Sequence, residues 1–270
     1  MSELKIGIVG CGGRMGRMLV KQVADTAGCT IIGGTEPAGS PFLGQDMGSL
    51  AGLDALNVEI TDDTPALFRM ADAVIDFTSP AATIANSKLA AANGKIHIIG
   101  TTGLSNEEQA TLEEAGATGV IVQGANMSLG VNLLALLTKK VASILDDEFD
   151  IEVLEMHHRH KVDAPSGTAL LLGKAAAVGR DVDHDSVADR GRDGITGARK
   201  KGDIGYAALR GGNVIGDHTV MFAAEDEIIE ISHRSGSRAI YARGAVRAAL
   251  WARSKEPGNY DMMDVLGLED

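Results

Sequence analysis

The stretch LKIGIVGCGGRMGRMLVKQVAD, Leu4–Asp25, decides the fold. It opens on an apolar, β-branched run, passes through four glycines in the seven residues Gly10–Gly16, and continues with apolar residues at helical spacing. A strand that runs through a glycine turn directly into a helix is the start of a β-α-β unit. Outward from it, TIIGGTE, ADAVIDFT, KIHIIGTTG and GVIVQGAN read as further strands, with helical runs such as SPAATIANSKLAAANG between them. This alternation, kept up to about residue 130, predicts an α/β domain with a doubly wound parallel sheet. Aromatics make up only 3% of the chain, so its core must come from Ala, Val, Ile, Leu and Met, which suits buried parallel strands under helices.

From FDIEVLEMHH onward the pattern changes. IGYAALRGGNVIGDHTVMFAAEDEIIEISHR reads as three strands joined by the turn signals Gly211-Gly212-Asn213 and Glu225-Asp226, an antiparallel meander in a second, α+β domain. The tail RAIYARGAVRAALWARSK is apolar at helical spacing and is expected to return to the first domain. The expected division is residues 1–127, completed by 238–270, and residues 128–237; a length of 270 suits two domains. Between the second-domain elements, VGRDVDHDSVADRGRDGITGARKKGD, Val178–Asp203, reads as an exposed, solvated loop.

A formal net charge of −12 disfavours a nonspecific grip on nucleic acid or an anionic membrane surface. Cys11 and Cys29 have no paired C-x-x-C spacing, which argues against a disulfide framework or a zinc ribbon and fits a reducing cytoplasm. No apolar run approaches the roughly 20 residues of a membrane span, and the first residues lack the basic and apolar regions of an export signal.

The glycine loop departs from G-x-G-x-x-G, because Met15 stands in the third glycine's place; the spacing is G-x-x-G-x-x-G through Gly10, Gly13 and Gly16. At a strand-to-helix turn it suits a dinucleotide pyrophosphate facing free backbone N–H groups. Glu36 closes the next strand, at the distance from the loop where an acidic side chain meets the adenine ribose hydroxyls. Pro37 beside it can neither donate an N–H nor pair a 2′-phosphate. GTTG, Gly100–Gly103, and GANMS, Gly124–Ser128, end two more strands, where small residues would let a nicotinamide approach the backbone.

The acidic chain makes one local exception. EMHHRHKVDAPSGTA, Glu155–Ala169, packs three histidines, an arginine and a lysine into five consecutive residues. If the segment stays extended, His157 and Arg159 face one way, and His158 and His160 the other. A metal site is one alternative, but Arg159 and Lys161 interleave the imidazoles and no partner motif appears elsewhere. Structural histidines on a strand edge are another. A helix is expected to begin near Ser166, with Pro165 at its boundary. Its start attracts anions, Gly167 admits a ligand to the backbone, and Thr168 adds a hydroxyl. Cations beside an anion-binding helix start describe a pocket for a small, multiply negative acid.

GCGGRMGRM, IDFTSP, GTTG, ANMSLGVN and above all EMHHRHKVDAPSGTAL resemble the motifs of the 4-hydroxy-tetrahydrodipicolinate (dihydrodipicolinate) reductases of diaminopimelate and lysine biosynthesis, over nearly the whole chain. The resemblance implies a Rossmann-type nucleotide domain, a substrate domain with a mixed sheet, and homotetramers assembled through those sheets. It implies catalytic roles for His157 and Lys161, and substrate binding by His158, Gly167 and Thr168. Cofactor contacts would fall at Gly10, Cys11, Gly12, Gly13, Arg14 and Met15, at Glu36, at Gly100, Thr101 and Thr102, and at Gly124, Ala125, Asn126 and Met127. Relatives that also accept NADPH often carry arginine where this chain has Pro37, so NADH is the expected preference, with NADPH possible. Rival readings are another two-domain nicotinamide oxidoreductase, such as an amino-acid dehydrogenase, or a non-catalytic nucleotide sensor.

Overall fold

The computed structural model describes residues Ser2–Leu268. The chain runs β1 (Leu4–Val9), α1 (Arg14–Ala24), β2 (Cys29–Thr35), α2 (Met47–Ala51), β3 (Ile60–Thr61), α3 (Thr64–Met70) and β4 (Ala73–Asp76). It continues with α4 (Pro80–Asn93), β5 (Ile96–Ile99), α5 (Asn106–Ala115), β6 (Val120–Gln123), α6 (Leu129–Ile144) and β7 (Asp150–His157). Then come α7 (Gly167–Gly179), α8 (His184–Val187), β8 (Ala188–Asp189), β9 (Ile204–Arg210), β10 (Asp217–Ala223) and β11 (Ile228–Arg234). The last elements are α9 (Ala239–Ala252), β12 (Gly258–Tyr260) and α10 (Met262–Leu266). Two compact units result, one formed by the chain up to Ser128 and again from Ala239, the other by Leu129–Arg238.

The first unit is a seven-stranded sheet in the order β12-β6-β5-β4-β1-β2-β3, parallel throughout. The five strands read from the sequence are all present; β3 and β12, three residues or fewer, add the two edges. Strand order reverses beside β1, so the connections that leave the paired ends of β1 and β4, Val9 and Asp76, run apart, the usual place for a ligand in an open sheet. β4 and β5 are buried at every position, as strands covered on both faces must be. On one side Leu67, Phe68, Val74, Ala90, Ile99 and Leu112 form a continuous core. On the other, α9 packs against α1 and across β4, β5 and β6. Its buried residues are almost all alanine or glycine, which lets it sit close.

The second unit carries a five-stranded mixed sheet, β11-β10-β7-β9-β8. The three expected strands exist, but the meander does not: β7 lies between β9 and β10, parallel to the first and antiparallel to the second. Local turn signals cannot report a strand that enters from fifty residues earlier. The glycine segment expected to close a hairpin instead crosses the end of β7, with Gly211 N–H donating to the His157 carbonyl and His158 N–H to the Val214 carbonyl. The β10–β11 hairpin forms as read. α6 and α7 cover one face, burying Ile151, Val153, Val220 and Phe222 against Leu172 and Ala176. Leu154, Met156 and Met221 point to the opposite, partly exposed face.

The Val178–Asp203 segment is only partly the solvated loop expected. Arg190–Ala198 is exposed throughout, but α8 and β8 lie within the segment. Arg199 donates to the Asp150 and Glu152 carboxylates at 2.8 and 2.9 Å and to the Ile151 carbonyl at 2.9 Å. A charged residue in a polar run thus clamps the start of β7.

A Cβ on Gly244 would stand 1.7 Å from the Met127 carbonyl oxygen. Gly244→Ala is therefore expected to destabilise the protein by about 1–3 kcal/mol, the usual range for overpacking a rigid contact, as measured by urea denaturation. An unchanged midpoint would show that α9 does not dock as described.

Candidate active site

At the end of β1 the chain turns through Gly10, in the left-handed region at φ 67°, and enters α1 with Gly13 at its N-cap. No side chain caps this helix, so its first-turn N–H groups have no acceptor from the N-cap residue. A Cβ on Gly16 would lie 2.1 Å from the Gly10 carbonyl, so the turn and the helix are pressed together because that residue has no side chain. Glu36 follows β2 directly and reaches this turn: Gly12 N–H donates to its Oε1 at 2.7 Å and Ser40 Oγ to its Oε2 at 3.2 Å. Cys11 is buried beneath, and burial first, then Glu36, pushes its thiol up to about 12. Arg14 and Pro37 are exposed, Met15 half-buried. A carboxylate beside an uncapped, glycine-lined helix start fits the ribose and pyrophosphate of a dinucleotide.

The next loops along the same sheet edge are held by Asp76, the last residue of β4, which is fully buried. Its Oδ1 accepts from Thr78 N–H at 2.9 Å and Thr78 Oγ at 2.6 Å; its Oδ2 accepts from Asn86 at 2.9 Å and lies 3.3 Å from His97 Nε2. Thr101 Oγ accepts from Thr78 N–H and from Thr83 Oγ, joining the loop after β5 to the same network. Burial opposes ionisation of Asp76, yet hydrogen bonds from His97, Asn86 and Thr78 bring its carboxyl down to about 2. Gly100 lies against the Phe77 ring, where a Cβ would approach to 2.2 Å. Thr102 is exposed. After β6, Gly124 and Met127 are buried, Ala125 is exposed, and the Asn126 side chain accepts from Ser128 N–H at 2.8 Å.

In the second unit the basic cluster separates. β7 ends at His157, and the following residues turn, so the alternation expected for an extended segment stops there. His157 is buried, His158 partly so, and Arg159 and His160 are exposed. His158 and His160, expected on one face, are brought within 6.2 Å, ring to ring, by the turn. Lys161 Nζ donates to both oxygens of Asp163 at 2.8 and 2.9 Å. Ser166 caps α7, its Oγ accepting from Ala169 N–H, and the space beside Gly167 is open. Thr168 follows in the first turn, half-buried.

Around these stand groups the motifs did not single out. Glu155, with no accessible side-chain surface, accepts from His157 Nδ1 at 2.6 Å, from two Arg210 nitrogens at 2.7 and 2.9 Å, and from Ser166 N–H at 3.1 Å. Burial would raise its carboxyl, but hydrogen bonds from Arg210 and His157 outweigh this and hold it below the usual range. His218 lies 5.1 Å from the His157 ring, with Nε2 3.0 Å from Ser166 Oγ; burial and then His157 push it down to about 4. Arg238 reaches to 3.4 Å from His158 Nε2, and partial burial and that guanidinium lower His158. Glu155 could have been found from its i, i+2 spacing to His157; Arg210 and His218 arrive only through strand register.

Comparison with known proteins is consistent along the chain. The family model for "Dihydrodipicolinate reductase, N-terminus" matches residues 4–127 and that for its C-terminus residues 130–266. A 4-hydroxy-tetrahydrodipicolinate reductase of Rhodopseudomonas palustris (strain HaA2) is 56% identical over 270 residues, covering all of both chains. One from Ruegeria sp. (strain TM1040) is 59% identical over 263 residues, 97% of this chain and 98% of its own. A dipicolinate-bound dihydrodipicolinate reductase from Paenisporosarcina sp. TG-14 shares the fold, with a TM-score of 0.74, 22% identity and coverage of 97% and 98%.

Because the Asp76 carboxyl is held down to about 2 in the folded protein, the stability it contributes is present above about pH 4, its unfolded range, and is lost as pH falls toward 2. Asp76→Asn is expected to flatten the dependence of the urea midpoint on pH across that window; a dependence matching the parent's would place the acid-sensitive group elsewhere.

Proposed function

The chain belongs to the dihydrodipicolinate reductase family, and on that premise we propose that it reduces 4-hydroxy-tetrahydrodipicolinate to tetrahydrodipicolinate, with loss of water, in diaminopimelate and L-lysine biosynthesis. The observation that carries this reading is the Glu155–Ala169 segment, which joins a buried, carboxylate-bound histidine to the start of a helix with open space at its first residue. A small dicarboxylate fits such a place: Gly167 and Thr168 take one carboxylate at the helix start, and His158 contacts the substrate.

The cofactor is a nicotinamide dinucleotide, and when bound it supplies the hydride that adds at C4 of the conjugated imine left once the 4-hydroxyl departs as water. Lys161 is assigned the proton that quenches the enamine-like anion so formed, and His157 polarises the substrate or exchanges that proton. Asp163, at 2.8 Å, is the partner Lys161 must share or leave to do so. Residues 1–127 with 238–270 form the dinucleotide domain in this reading, and 128–237 the substrate and oligomerisation domain. The cofactor is held by Gly10, Cys11, Gly12, Gly13, Arg14 and Met15 at the pyrophosphate, by Glu36 at the ribose, and by Gly100–Thr102 and Gly124–Met127 toward the nicotinamide.

NADH is the preferred form. A 2′-phosphate beside Glu36 would meet like charge, and Pro37 offers no cation. The outer face of the second sheet, with Leu154, Met156 and Met221 partly exposed and Leu209 and Ile228 more so, supports assembly into a tetramer through these faces. The enzyme is assigned to the cytoplasm; no helix among the described residues is long and apolar enough to cross a membrane.

The decisive assay condenses aspartate semialdehyde and pyruvate with the synthase and follows loss of NADH and of NADPH. Loss of neither would remove the proposal, and a kcat/KM well above that for NADH with NADPH would reverse the preference, which Pro37→Arg is expected to shift toward NADPH. Lys161→Ala and His157→Ala should each lower kcat by roughly 10²- to 10⁴-fold, the range for losing a positioned acid, with NADH affinity nearly unchanged. Thr168→Val should mainly raise KM, because a carboxylate contact made in the ground state contributes uniform binding. Light scattering should report four subunits; a monomer at micromolar concentration would contradict the assembly.

A further inference from the structure

Glu155 and His157 are two apart on β7 and therefore share its covered face, in register with Ala208 and Arg210 on β9 and, for Glu155, with His218 on β10. The Glu155 carboxylate has four donors and no contact with water. Two of those donors belong to the site assigned above: His157 Nδ1, and the backbone N–H of Ser166, the cap of the helix that takes the substrate carboxylate. An ionised carboxylate only accepts hydrogen bonds, so His157 must donate from Nδ1. In its neutral form the imidazole then carries its proton there, and Nε2 is the atom that gains and loses a proton. Gly216 faces that atom; even a Cβ at this position would stand 3.0 Å from Nε2, so the side of the ring left for a ligand is lined by a residue without a side chain.

The charges facing His157 make the carboxylate matter further. Arg210 on β9 lies across Glu155, and Lys161 and His158 follow in the chain, with Arg238 against His158. His218 on β10 stands 5.1 Å away, opposite His233 on β11, and Asp163 and Asp217 lie beyond, against Lys161 and near His233. Glu155 is the carboxylate in direct contact with the ring, while Lys161 is taken up by Asp163. We propose that Glu155 is a positioning residue for the reduction: it selects the Nδ1–H tautomer of His157, supports its protonated form, and anchors the start of α7 through Ser166, while Arg210 keeps the carboxylate in place. This rests on the assignment of His157 made above. The arrangement is that of a carboxylate behind a catalytic imidazole, in which the anion orients and stabilises without itself taking the proton.

The test is the pH profile of Glu155→Gln, which keeps the shape of the side chain and removes its charge. Loss of the anion makes the imidazolium less favourable, so the alkaline limb of kcat/KM should move to lower pH. kcat should fall by at least about tenfold, with KM for NADH unchanged. In parallel, ¹⁵N spectra of histidine-labelled parent protein should show the Nδ1–H tautomer for His157, its signal assigned by its loss in His157→Ala. An unmoved limb in Glu155→Gln, or an Nε2–H tautomer in the parent, would overturn the inference, and the second measurement needs no variant of Glu155 to fold. A near-normal kcat in His157→Ala would instead sink the assignment of His157 itself; a large defect there with an unmoved limb in Glu155→Gln sinks only the role of Glu155.

Discussion

A carboxylate taken out of water must be surrounded by donors or lose its charge, and each unit of this protein is organised around one such group at its working end. Asp76 closes β4 and gathers Thr78, Asn86, His97 and, through Thr78, Thr101. Glu155 lies one residue short of the penultimate position of β7 and gathers Arg210, His157 and the cap of α7. In both, the partners come from several elements; for Glu155, satisfying one buried charge aligns the ends of β7 and β9 with the start of α7. Hydrophobic packing brings the elements together but cannot set loop geometry at this level of detail, because it is non-directional. The directional requirement of the carboxylate does.

The glycines act by the opposite means. Gly16, Gly100 and Gly244 have a backbone atom or a ring where a side chain would begin, and their lack of one lets the loop, the aromatic ring and the last long helix close on the first sheet. Together with an α1 whose N-cap makes no side-chain bond, this sets backbone N–H groups beside the Glu36 carboxylate at the carboxyl edge of the sheet. A dinucleotide needs a surface of that kind, a close approach for the pyrophosphate and an acceptor for the ribose.

The first sheet was legible because parallel strands covered on both faces are apolar throughout and their helices begin at glycine, serine and proline signals; only its short edges, β3 and β12, carried too few residues to register. The second sheet was legible in its strands and not in their order, since hairpin signals are local and the insertion of β7 between β9 and β10 is not. The histidine cluster could be located but not resolved into separate roles. Nothing in its spacing says that β7 stops at His157, or that Lys161 turns back onto Asp163. Glu155 sat inside the quoted motif, yet its weight came from Arg210 and His218, which lie some fifty and sixty positions later and meet it only through register.

The crossing of residues 211–216 over the end of β7 also bears on how chains of this kind can vary. Three backbone hydrogen bonds tie that short connection to His157, His158 and Arg159, so an inserted or deleted residue there would drag the imidazole-bearing end of the strand out of register with both neighbours. The exposed run Arg190–Ala198 in the same unit is tied to the sheet through a side chain instead, Arg192 donating to Glu152 at 2.6 Å. The segment that looks in sequence like an ordinary glycine turn is thus one whose length is set by the strand end it is bonded to.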